Sequence, residues 1–254
     1  MCGSNVAEPL RKSPTCARCD RLAAVHDGHM PITIAVYSDV ICPWCWIGKR
    51  RLEQALAAFP AGAATVTWHP FQLNPAMPME GMPRAEYRRR KFGSADYAAA
   101  LDQRVTGVAA EVGLAFDLAG QPRTPNTLRA HRLIRWAGAQ GKQDALVEAL
   151  FSAYFSAGLD VGDVAVLTRL ASSVGLDAQQ VAQFLASSDG TDDVLAEESA
   201  IRQQGAEGVP LFIINGQDRL SGAQPVAVLI AALTQAVASA PDGGADCTDG
   251  VCRA

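Results

Sequence analysis

The sequence predicts an α/β fold in which a long all-helical segment interrupts the sheet-forming parts, and three observations carry that expectation. The run PITIAVYSD at 31–39 is short, β-branched and nearly continuously apolar, as a buried strand should be. From 81 to 189 the apolar residues recur at helical spacing only. Strand patterning returns after Gly205 and ends on one more amphipathic helix. The expected organisation is an N-terminal extension over 1–30, a strand-bearing unit from 31–80 and 190–240, a helical insertion over 81–189, and a tail over 241–254.

Each element has its own signal. In WCWIGKRRLEQALAAF, residues Leu52, Ala55, Leu56 and Phe59 share one helical face, and Pro60 ends the pattern. Ala64 to Trp68 alternates and predicts a second strand, so the opening strand, helix and strand should form a parallel crossover unit. Residues 75–83 are rich in Pro, Met and Gly and open the helical region, in which no strand is expected. There Val105, Val108, Ala109 and Val112 make one stripe, and Leu146, Val147, Leu150, Phe151 and Tyr154 another. Thr124 and Asn126 are placed to cap the helix LRAHRLIRWAG, and Asp163 and Asp177 to cap two more, with Gly175 between them. VPLFII at 209–214, Asn215-Gly216 and QDRLSG read as a hairpin, and Pro225 precedes a closing helix.

Composition narrows the function classes. The chain has 254 residues, 49% of them hydrophobic, which suffices for a core without disulfide support. A net charge of −4 offers no electrostatic reason to bind nucleic acid or an anionic membrane. The basic run Arg88 to Lys91 lacks interleaved aromatics and reads as a solvated helix face. No apolar run approaches the roughly eighteen residues of a spanning helix. Residues 1–30 lack the apolar core of a secretory signal, so the cytoplasm is the expected compartment. Nothing in the sequence speaks to oligomeric state.

The cysteines fall at 2, 16, 19, 42, 45, 247 and 252, clustered instead of spread through the fold. That distribution points to redox chemistry or metal binding, not to a disulfide framework. Cys42-Pro43-Trp44-Cys45 follows a buried strand and opens a helix, where unpaired N–H groups and the helix dipole favour a thiolate at Cys42. Pro43 is tolerated in a first turn, and Cys45 returns to the same side one turn later. Stabilising the Cys42 thiolate stabilises the reduced form and makes the disulfide a stronger oxidant. Two alternatives stand beside this: a buried cysteine pair with no role, and a zinc site from Cys16, Cys19, Cys42 and Cys45 in C-x2-C-x22-C-x2-C.

Gly208-Val209-Pro210 precedes a strand, where proline is permitted, and a cis bond there would expose the Val209 backbone to an extended substrate. Spacing alone does not decide the isomer. Cys247 and Cys252, with Gly250 between them, can close a small loop and relay electrons to Cys42, the alternatives being a weak metal site or an inert tail. Cys16 and Cys19 can play the same part from the other end, leaving Cys2 as an exposed thiol. Lys49 reads as a surface residue, Asp39 as a turn former or a proton acceptor for Cys45, and His69 and His131 as lone structural histidines.

The stretches SDVICPWCWIGKRRLEQAL, WHPFQLNP at 68–75, TPNTLRAHRLIRWA at 124–137 and EGVPLFIING at 207–216 resemble the DsbA-like thioredoxin superfamily, and within it the FrnE branch of cytoplasmic oxidoreductases, over 31–238. The resemblance implies a thioredoxin fold with a large helical insertion, Cys42 as the exposed nucleophile, Cys45 as the resolving thiol and Pro210 as a cis-proline facing them. The same superfamily includes kappa-class glutathione transferases and 2-hydroxychromene-2-carboxylate isomerase, which carry serine where this chain has Cys42. That departure favours thiol-disulfide exchange.

The expected reaction runs through a mixed disulfide on Cys42, held beside Val209 and Pro210 and resolved by Cys45. Pro43, Trp44, Trp46 and Phe71 are expected to offer apolar surface to a protein or peptide substrate. A cytoplasmic setting argues for reductase or isomerase work, with no metal or bound cofactor and with glutathione as a candidate electron donor or co-substrate. A glutathione-dependent transferase or isomerase using Cys42, and a zinc-binding interaction module, are the competing classes.

Overall fold

In chain order the computed structural model, which describes residues 31–239, begins with β1 (Ile32–Ser38), α1 (Pro43–Leu56) and β2 (Ala64–Pro70). The helical region follows as β3 (Met82–Pro83), α2 (Arg84–Phe92), α3 (Ala95–Glu111), β4 (Arg123–Thr124), α4 (Leu128–Gly138) and α5 (Gln143–Phe155). It continues through α6 (Val164–Ser173), α7 (Ala178–Ala186) and α8 (Thr191–Gln203), and the chain returns with β5 (Leu211–Ile214), β6 (Asp218–Ser221) and α9 (Val226–Ser239).

The main sheet has the order β2-β1-β5-β6. β1 and β2 are parallel, with Ile32 opposite Ala64 and Ser38 opposite Pro70, and α1 is the crossover that a parallel pair requires. β5 pairs antiparallel on the other side of β1, and β6 folds back on β5. The Asn215-Gly216 turn has positive φ at both residues, 50° and 72°, which suits the twist of a two-residue hairpin. Asn215 Oδ1 also accepts from Thr33 N at 3.0 Å and ties the hairpin to β1.

β1 is not equally buried on its two faces. Ile32, Ile34 and Val36 enter the large core and Ser38 is buried on the same face, while Tyr37 joins a smaller cluster with Leu211, Ile213, Phe71 and Ile201 on the opposite face. Side chains alternate along a strand, so Phe212 and Ile214 of β5 share the large core and Leu211 and Ile213 the small one. The large core runs without a break from the sheet into the helical region, taking in Leu133 of α4 and Leu150 and Phe151 of α5.

Capping side chains start several helices. Asp163 accepts from Val166 N at 2.9 Å and Asp177 from Gln180 N at 2.8 Å, as the sequence predicts, and Ser94 caps α3 through Tyr97 N. The start of α4 differs from expectation: Thr124 lies in β4, and Asn126 bonds Leu128 N while its amide holds Met77 O. The β3–β4 ladder also corrects the expectation of no strand there. It pairs only Met82 with Thr124 and Pro83 with Arg123, too short a run to leave a periodic signal. Gly81 makes it possible: at φ 68°, a Cβ there would stand 2.6 Å from Thr124 O. Among the described residues no helix is long and apolar enough to cross a membrane.

Candidate active site

At the C-terminal end of β1 the chain turns through Asp39, whose carboxylate accepts from Ile41 N at 3.4 Å and from Leu73 N at 2.7 Å. The turn delivers Cys42 to the N-cap of α1 in extended conformation, with Pro43 in the first turn and Cys45 N bonded to Cys42 O at 3.0 Å. Both cysteines are thiols, Cys42 with 4% of its surface exposed and Cys45 with 1%. Cys42 Sγ donates to Val209 O at 3.5 Å, and the Val209–Pro210 bond is cis. Close packing brings these segments together: a Cβ on Gly48 of α1 would meet Pro210 Cγ at 3.0 Å and Phe212 Cζ at 3.2 Å.

Burial pushes the Cys45 thiol well above its ordinary range, and the neighbouring Cys42 raises it further. The Ser38 hydroxyl and the Asp39 backbone hydrogen-bond Cys45 and oppose that shift. Cys45 is thus held protonated while Cys42 stands in front of it.

The cleft beside Cys42 encloses about 520 Å³. Pro43, Trp44 and Val209 form one wall with Cys42, and Val105 and Phe155 of the helical region face them. Cys42 therefore reaches solvent through this cleft, not as the openly exposed thiol the sequence suggests, because the Val209 segment and the helices cover it. Arg84, Arg88, Lys91 and Arg104 stand around the cleft with Asp102, which binds Arg84 at 2.9 Å and Arg88 at 2.7 Å. Those four cations against one acid were missed by sequence reasoning. The basic run was their signal, but it read as a solvated face; Arg88 instead turns inward, its guanidinium 4.4 Å from the Phe92 ring centre.

Two residues expected to offer substrate surface do not. Trp46 is 4% exposed and stacks on Phe116, Phe151 and Phe155, since α1 turns that face toward α5. Phe71 is 1% exposed, packed with Ile201 and Leu211 under the Arg202 guanidinium on the far face of the sheet. Trp44 is 36% exposed and Pro43 half-buried, both on the cleft.

Lys49 is likewise not a surface residue: it is buried, bonded to Glu53 and Asp144, with Glu148 at 3.5 Å. Burial alone would lower its pKa, but Glu53 and Asp144 outweigh burial and raise it. The two histidines are not alone either. His69 Nδ1 pairs with Glu197, and His131 Nε2 lies 3.5 Å from Asp39 Oδ1. Cys2, Cys16, Cys19, Cys247 and Cys252 lie outside the described residues, and with them the relay and the four-cysteine zinc site. Among the described residues no three His, Cys, Asp or Glu side chains gather to hold a metal.

Comparison with known proteins agrees with this geometry. The probable DsbA oxidoreductase SCO1869 from Streptomyces coelicolor superposes with a TM-score of 0.76 at 35% identity, over 82% of this chain and 91% of that one. The uncharacterized protein YwbO of Bacillus subtilis (strain 168) is 27% identical over 186 residues, 73% of this chain and 88% of its own. The cytosolic disulfide reductase DsbM from Pseudomonas aeruginosa shares the fold, with a TM-score of 0.58 at 18% identity over 80% of this chain and 98% of its own. The DSBA-like thioredoxin domain model matches residues 33–234, which spans β1 to α9 and includes both cysteines and Pro210, so the chain belongs to that family.

Proposed function

We propose that the protein is a thiol-disulfide oxidoreductase of protein or peptide substrates, working as a reductase or isomerase in the cytoplasm, in the manner of the FrnE branch. The observation that carries this reading is the placement of Cys42 at the N-cap of α1, in the cleft and 3.5 Å from Val209 O, with Cys45 buried one turn behind it.

Cys42 gives up its proton to solvent and its thiolate attacks one sulfur of a substrate disulfide, breaking the S–S bond, forming the mixed disulfide and releasing the other substrate sulfur as a thiolate that takes a proton from solvent. Val209 and Pro210, with Pro43 and Trp44, bound the place where the attached substrate must lie. Forming the mixed disulfide removes any negative charge from Cys42, and with it one of the influences that raise the Cys45 thiol. Cys45 then loses its proton, attacks Cys42 and expels the reduced substrate. The four cations at the cleft suit a substrate or electron donor bearing carboxylates, which supports glutathione in that role. A structure of the Pseudomonas aeruginosa DsbM is described as with GSH. Cys247 and Cys252 are proposed as the relay that re-reduces or re-oxidises the active pair.

The test is insulin reduction with dithiothreitol or glutathione as donor, using Cys42→Ser and Cys45→Ser. Exchange chemistry predicts loss of turnover in both. A glutathione transferase or isomerase needs Cys42 alone, so full activity toward such substrates in Cys45→Ser, without insulin reduction by the parent protein, would overturn the proposal.

A further inference from the structure

Cys42 is 4% exposed and Val209 O stands 3.5 Å from its sulfur, so a disulfide reaches it only by bringing one of its two sulfurs into the cleft. The other sulfur leaves with its own half and need not enter. At about 520 Å³ the cleft has the size of a small-molecule site, roughly 300–1,000 Å³, and Val105 and Phe155 close it opposite Cys42. Its charge is one-sided: Arg84, Arg88 and Lys91 of α2 and Arg104 of α3 stand against Asp102 alone among the lining residues. Asp102 bonds both Arg84 and Arg88, which are only 14% and 16% exposed, and Arg84 Nε donates to Leu118 O at 3.1 Å. Arg88 also donates to Ala98 O. Two guanidiniums are thus fixed on the wall before a substrate arrives, and Lys91 and Arg104 add charge that Asp102 does not bond. Guanidinium groups held in this way suit carboxylates.

We infer that the cleft makes Cys42 discriminate between the two sulfurs of a mixed disulfide: it attacks the sulfur of a small thiol bearing two or more carboxylates, seated in the cleft, and releases the protein or peptide half outside. The inference rests on the exchange reading and narrows its substrate class to mixed disulfides between protein thiols and a small acidic thiol. Cys42 gives its proton to solvent, and its thiolate forms a bond to the small thiol's sulfur as the substrate S–S bond breaks. The protein half departs as a thiolate and is protonated from solvent. Cys45 then loses its proton, bonds to Cys42 and expels the small thiol as a thiolate, which is also protonated. The substrate has gained two electrons, and the Cys42–Cys45 disulfide regains them from a dithiol or from two molecules of the small thiol. A cationic half in the cleft meets like charge, and a polypeptide half meets a bounded space, so both are disfavoured there.

The Cys45→Ser protein tests this, because whichever half Cys42 takes stays bound. An uncharged peptide with one cysteine and capped termini is presented as its mixed disulfide with glutathione, and separately with cysteamine, and the reaction is quenched with acid within one turnover. Intact-mass spectrometry then reads which half Cys42 carries. From the glutathione substrate, the small half should exceed the peptide half by about tenfold or more at low salt, with no such excess from the cysteamine substrate. High salt, and Lys91→Glu with Arg104→Glu, should each cut the glutathione excess by about threefold or more. The salt and cysteamine arms read the same charge without altering the chain. Retention of the peptide half from the glutathione substrate overturns the inference. So does an excess that cysteamine equals, or one that stays within about twofold in high salt or in the charge-reversed protein. Absence of either half from Cys42 overturns the exchange reading instead, so the two failures are distinct.

Discussion

The Cys42 sulfur and the Val209 carbonyl oxygen lie 3.5 Å apart, although their residues come from opposite ends of the described chain. That contact exists because α1 packs against the start of β5 at Gly48, where no side chain keeps the two segments apart. The chemistry depends on this approach as much as on the cysteines.

Gly48→Ala therefore tests the approach directly. The added methyl would meet Pro210 and Phe212 at 3.0 and 3.2 Å, so a loss of about 1–3 kcal/mol of stability is expected. Turnover of a peptide disulfide should fall together with it, since Pro210 moves. Denaturant titration and steady-state kinetics on the same preparation check both; an unchanged midpoint would mean that the segments have slack.

The two tryptophans of the motif helix should behave oppositely. Trp46→Ala removes a ring stacked on three phenylalanines and should cost about 3–5 kcal/mol. Trp44→Ala, at 36% exposure, should leave stability within about 0.5 kcal/mol and lower kcat/KM for peptide disulfides. A thermal melt and a kinetic assay of each variant separate the outcomes.

Lys49→Ala leaves Asp144, Glu148 and Glu53 facing one another, with Arg50 paired to Glu53 and Glu148 and, among the described residues, no other cation bonded to the three. These carboxylates are 61%, 30% and 42% exposed, so solvent screening moderates the effect, and a loss of about 2 kcal/mol is expected. The folded Lys49 pKa is raised, which sets the sign of the pH dependence. Its stabilisation is fully present below the unfolded-state value and is lost as pH rises through the folded-state value. Parent and variant stabilities should therefore converge only in strongly alkaline solution, and unfolding curves across the alkaline range show whether they do.

Charge at the cleft should select substrates. Lys91 and Arg104 are the two cleft cations without a bond to Asp102, so Lys91→Glu with Arg104→Glu should slow reduction of an acidic peptide disulfide and favour a basic one. The parent protein's preference for the acidic peptide should shrink as salt is raised. Equal rates for both peptides at low salt would remove the electrostatic role.

How far the sequence reached follows from the range of the interactions. β1, α1, the Asn215-Gly216 hairpin and the Asp163 and Asp177 caps are legible because each depends on residues a few positions apart. The fold, the cysteine pair and the segment at Pro210 were legible through motif and order. Lys49, Trp46, Phe71 and His131 were misplaced because their surroundings come from segments distant in the sequence. Asp144 and Glu148 of α5 enclose Lys49, Arg202 of α8 covers Phe71, and Asp39 of the first turn faces His131. A periodic pattern shows that a helix has a buried face but not which residues will meet it.

The central claim is that Cys42 attacks and Cys45 resolves. Mass spectrometry of the Cys45→Ser protein after reaction with a peptide disulfide tests it most directly. The account predicts a stable adduct of one peptide on Cys42, absent from the parent protein, which passes on to the Cys42–Cys45 disulfide. An adduct on a different cysteine, or none on Cys42, would contradict it.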